Sequence, residues 1–118
     1  MRYQSDYVLR VIEQMAGLIR KALEQFRIGS DEEPIELAEQ ALGLALDMDP
    51  QTVSRLSPSS LASFLALNLP DDRVLDLVVE ALGIEAEALE ARGEIVMARL
   101  RREQADAVRR LLDPASAN

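Results

Sequence analysis

The sequence predicts an all-α fold of about six helices led by one long helix, and three observations carry that prediction. Apolar residues recur at three- and four-residue spacing from Tyr3 to Phe26, and again in every later segment. Leu, Ala, Val and Ile dominate, while Tyr3, Tyr7, Phe26 and Phe64 are the only aromatic residues, which favours close helix-on-helix packing over a β-sandwich. No stretch alternates with the period of two that a half-buried strand requires. The 118 residues suit a single domain, 1–118, able to bury a sizeable core without staples.

The first helix covers 3–27. Val8, Val11, Ile12, Met15, Leu18, Ile19 and Ala22 fall on one broad face, with Arg10, Glu13, Gln14, Arg20, Lys21 and Glu24 opposite. Ser5 or Asp6 is the expected cap, and Gly29 with Ser30 the expected stop. At ~1.5 Å per residue such a helix is roughly 35 Å long, against a radius of gyration near ~13 Å for a domain of this size. Its apolar stripe is therefore expected to outrun its own domain, and the seven apolar residues just named are predicted to form a homodimer interface.

Ser30 and Glu33 have capping-box spacing, and Pro34 follows in the first turn of a second helix that runs to about Met48. Pro50 and Pro58 mark breaks, with a short helical piece expected at 51–55. A third helix covers about Ser59 to Asn68 and stops at Pro70. A fourth, Asp71 to Leu82, is apolar almost all round and should lie centrally, with Gly83 as its end. A fifth is expected from about Glu85 to Leu100 and a sixth from Arg102 to Leu112, before an Asp113-Pro114 tail.

Within "LAEQALGLALDMDP", residues 37–50, the small, large, small and proline positions fall at Ala38, Leu42, Ala45 and Pro50. The spacing recurs at Val74, Val78 and Ala81, and more faintly at Ala105, Arg109 and Leu112, with offsets of 36 and 31 residues. This resembles the tetratricopeptide repeat, whose period is about 34 residues. The resemblance implies helical hairpins at about 51–83 and 84–114 behind the long first helix; the alternative is an irregular helical bundle. In repeats of that kind the first helix of each hairpin lines a concave surface, which makes Ser63, Leu67, Arg92 and Arg99 candidates for a peptide groove.

At the N-terminus, "DYVLRVIEQM" places Asp6, Tyr7, Arg10, Ile12, Glu13 and Gln14 in a pattern similar to the opening of a small bacterial family of uncharacterised proteins. The resemblance implies an all-α, cytoplasmic bacterial protein and brings no activity with it. Asp6, Arg10 and Gln14 are four apart and could form a polar ladder along the helix.

The net charge of −8 is unevenly spread. Residues 1–30 hold five basic and three acidic residues, 31–90 two and fourteen, and 91–118 six and four. An acidic middle without aromatic stacking partners argues against nucleic acid. No run reaches the ~18–20 apolar residues of a membrane span, and no signal peptide opens the chain, so the expected address is the cytoplasm. Neither Cys nor His occurs, which removes disulfides, thiolate metal sites and the commonest general base. No phosphate-binding glycine loop is present. "RLRREQADAVRR" reads as a solvated face of four-spaced pairs, Arg99–Glu103, Arg102–Asp106 and Asp106–Arg110.

Carboxylates are the abundant chemical group. Glu36, Glu39, Asp72 and Asp76 are conceivable ligands for Mg²⁺, which takes oxygen donors, and they define the alternative of a metal-dependent all-α hydrolase. With no catalytic motif in the chain, the principal expectation is a non-catalytic interaction module without a cofactor. Its expected partners are a second copy and a further protein or peptide, not a membrane.

Overall fold

The computed structural model describes residues 2–30, 32–68 and 71–112, with side chains from Asp6 onward. It has six helices and no strand among the described residues: α1 (Arg2–Arg27), α2 (Glu33–Leu46), α3 (Pro50–Ser54), α4 (Pro58–Asn68), α5 (Asp72–Ala91) and α6 (Ile95–Leu112). Pro70, Asp113 and Pro114, expected as breaks, and the Ser5 side chain lie outside the described residues.

Helix ends follow local chemistry where the chain offers it. Asp49 and Ser57 cap α3 and α4, accepting from the amides of Gln51 at 3.2 Å and Ser60 at 3.1 Å, each with a proline in the first helical position. The capping box at Ser30 and Glu33 does not form. The Ser30 amide instead closes α1 on the Gln25 carbonyl at 3.0 Å, and Glu32 takes the α2 N-cap without a side-chain hydrogen bond.

Two further expectations fail in the second half. α5 runs straight through Gly83, and α6 runs unbroken across Arg101. An interior glycine costs only ~1 kcal/mol relative to alanine, and the buried neighbours Ala81, Leu82 and Ile84 outweigh it. The chain turns instead at Gly93, whose φ of 83° suits a residue without Cβ. There the amides of Glu94 and Gly93 donate to Leu89 and Glu90 at 2.9 Å, satisfying carbonyls that the helix end leaves open.

α1 packs on α2 and α5, α2 on α5, and α6 on both α5 and α4. α4 rests chiefly on α6 instead of folding back on α5, so 51–83 is not closed as the expected hairpin. The reason lies in α6: Arg101 and Gln104 donate to the carbonyls of Ser54 and Leu56, which tethers the approach to α4. Ala38 and Leu42, from the repeat-like stretch, are buried where α1 and α2 meet the core, and Ala45 is half-buried.

The molecule measures 43 × 32 × 24 Å. The 26 residues of α1 span about 39 Å, so the helix runs the length of the fold and does not outrun it. Val11, Met15, Ile19 and Ala22, expected at a dimer interface, are 9%, 0%, 3% and 0% exposed within the single chain. Val8, Ile12 and Leu18 are half-buried against the same core. That face is consumed internally, where a fully buried Met or Ile contributes ~1.5–3 kcal/mol.

Candidate functional site

Three clefts open along the flank of α1 that faces the end of α2. The first, about 320 Å³, lies between α1, α2, α4 and the start of α5, with Tyr7, Val8, Leu44 and Phe64 among its walls. The second, about 720 Å³, runs from Tyr7 to Leu18 against Gln40, Leu44 and Met48. The third, about 350 Å³, reaches from Glu13 to Lys21. Leu44 lines all three, Tyr7 and Val11 join the first two, and Gln14 and Leu18 join the last two. Together they make one shallow trough whose run along α1, from Tyr7 to Lys21, is about 21 Å long.

Charge is distributed along this trough. Asp47 stands with Tyr7 at one end, Asp49 lines the middle cleft, and Lys21 stands at the other end. No ion pair among the described residues engages Asp47, Asp49 or Lys21. Asp71, also in the first cleft, is already committed: hydrogen bonds from the Arg73 side chain and amide hold its carboxyl down to about 2.

The most perturbed chemistry lies elsewhere, inside the fold. Arg101 Nε donates to Glu85 Oε1 at 2.8 Å, with the two side chains 2% and 1% exposed. Arg101 Nη1 donates to Gln104 Oε1 at 2.8 Å and to the Ser54 carbonyl at 3.0 Å, and Gln104 Nε2 donates to the Leu56 carbonyl at 2.6 Å. Glu85 Oε2 is buried without a donor. Its polar neighbour is the half-buried carboxyl of Glu39, and two carboxyls satisfy each other only when one carries a proton. Burial pushes Glu85 up to about 7, against the opposing pull of Arg101, and burial also raises Glu39. A carboxyl near neutrality resembles a tuned acid or base, but neither Glu39, Glu85, Arg101 nor Gln104 lines any of the three clefts.

The sequence-predicted sites disperse. Glu39 turns toward Glu85, which lies 9 and 13 residues beyond Asp76 and Asp72 on α5, about 14 and 20 Å along the helix. Glu36, Asp72 and Asp76 are exposed, and no group of three or more acidic residues among the described ones could hold a metal ion. Ser63, Leu67, Arg92 and Arg99 are exposed and line none of the three clefts; Arg92 pairs with Glu94. The side chains of Asp6, Arg10 and Gln14 form no ion pair or hydrogen bond with one another among the described residues. The α6 pairs also differ from those expected, with Arg102 bound to Glu90 and Arg109 to Asp106.

Sequence reasoning missed Glu85, Arg101 and Gln104. Arg101 sits three residues after Ala98 and four before Ala105, on the buried stripe that continues to Val108, and Glu85 follows Val78 and Ala81 at seven and four residues. Polar residues of opposite charge at core positions of two helices were the available signal.

Compared with protein-family models, curated proteins and solved structures, the chain finds no match.

Proposed function

We propose that the protein is a non-catalytic interaction module that pairs with a second copy along α1 and holds a further protein at the opposite end of the molecule. One observation carries this reading: the charged groups of the accessible clefts, Asp47, Asp49, Asp71, Glu13 and Lys21, stand among apolar walls with Asp71 already committed to Arg73, while Glu39 and Glu85, the carboxyls that burial raises, line none of them. Catalysis needs both in one place; association needs only the accessible surface.

The surface for the further partner is supported by Ile28, Ile95, Val96 and Met97, which are exposed at 75%, 52%, 79% and 38%. They share one end of the fold, because Phe26 and Ala98, their near neighbours in sequence, pack into one cluster with Ile35, Ala88 and Leu89. The candidate residues Arg92, paired with Glu94, and Arg99 flank this end in sequence and give it a polar rim. The α1–α2 hairpin, with its small residue at Ala38, is the part of the tetratricopeptide-like spacing that this reading keeps.

Affinity capture from a native lysate tests it, with Val96→Glu as the control bait. The expected result is a protein retained in near-stoichiometric amount by the wild type and lost with the variant. Identical retention by both baits, or no retained protein, counts against the reading.

A further inference from the structure

We infer that the trough along α1 is the seat of a second copy, held antiparallel by a two-fold axis close to Gln14. The inference rests on reading the protein as an association module and specifies the face and register of its self-pairing. The core face of α1 is excluded by its burial, which leaves the flank carrying Tyr7, Gln14, Leu18 and Lys21. These residues sit at intervals of seven, four and three, the repeat by which one helix lies along another.

Charge complementarity selects the orientation. Tyr7 lies seven residues before Gln14 and Lys21 seven after it, so a two-fold axis at Gln14 brings Lys21 of the second copy beside Tyr7. Asp47 stands with that same Tyr7 in both of the clefts Tyr7 lines, and no ion pair among the described residues engages it. Each ammonium then gains the Asp47 carboxylate and an aromatic face, and the symmetry supplies the arrangement twice. A parallel pairing would set lysine against lysine and aspartate against aspartate.

Gly17 is independently accounted for. Among the described residues a Cβ built on it would meet only Arg20 Nη2, at 3.9 Å, so no packing seen there calls for glycine in the middle of this helix. In the antiparallel pairing it lies three residues from the axis, where the two helices come closest.

Sedimentation equilibrium of the full chain across the micromolar to millimolar range tests the proposal, with circular dichroism confirming that each variant stays helical. The wild type is expected to be a dimer, and Lys21→Glu and Gly17→Leu are each expected to raise its dissociation constant roughly thirty-fold or more. Asp47→Lys should also be monomeric alone. A mixture of Lys21→Glu with Asp47→Lys should form a heterodimer, because each contact across the axis then joins opposite charges. A wild type that stays monomeric into the millimolar range overturns the inference, as does a Lys21→Glu protein that dimerises like the wild type. Neither outcome touches the capture experiment, which probes the other end of the molecule.

Discussion

Arg101 and Glu85, sixteen residues apart in sequence, meet at 2.8 Å with almost no exposed surface, and the second oxygen of Glu85 has no donor. A buried pair of this kind is weak evidence for net stability, since desolvation offsets much of the attraction. Its importance is topological, because Arg101 and Gln104 carry the hydrogen bonds that hold the α3–α4 connection against α6.

Breaking the pair should therefore be far worse than replacing it. Arg101→Met alone is expected to cost about 3–5 kcal/mol at pH 8, and the double variant Glu85→Leu with Arg101→Met markedly less. Urea denaturation of the two single variants and the double variant closes the cycle.

The proton on the Glu39–Glu85 pair gives stability a definite pH dependence. Glu85 moves from 4.5 unfolded up to about 7 folded, so between those values the folded chain binds more protons than the unfolded one. The contribution is fully present below about pH 4.5 and is lost as pH rises through about 7, amounting to roughly 3 kcal/mol. Glu39, also raised, acts with the same sign. Glu85→Gln mimics the protonated acid, offering an acceptor to Arg101 and a donor to Glu39. Its stability should fall less between pH 5 and 8 than that of the wild type, and equal slopes for the two would refute the shared proton.

Two helix-interior glycines should respond to alanine with opposite signs. At Gly43 a Cβ would meet the Met48 carbonyl oxygen at 2.9 Å and Pro50 Cγ at 3.1 Å, so Gly43→Ala is expected to destabilise by about 1–3 kcal/mol. At Gly83 nothing lies within 4 Å, and Gly83→Ala should stabilise by about 0.5–1 kcal/mol. Thermal melts of the two variants separate the cases.

Met15, fully buried, tests where the α1 face is spent. Met15→Ala should cost about 2–5 kcal/mol of folding stability, as a core cavity does. If α1 offered Met15 to a partner instead, the loss would appear in the dimer dissociation constant with monomer stability unchanged.

Helix periodicity, the breaks at Pro50 and Pro58 and the aliphatic character of the core were legible in the sequence, because they depend on composition and on spacing within one segment. The same spacing marked Val11, Met15, Ile19 and Ala22 as a face needing cover without saying whether α2 and α5 or a second copy supplied it. Gly83 and Gly93 show the same limit: one is carried through a helix by buried neighbours and the other turns the chain. The choice depends on packing energy, which outweighs a glycine's ~1 kcal/mol. Only the tertiary structure joined Glu85 to Arg101, set α4 against α6 and sent Glu39 away from Asp72 and Asp76. Those decisions belong to contacts between segments distant in sequence, where helix crossings determine which side chains meet.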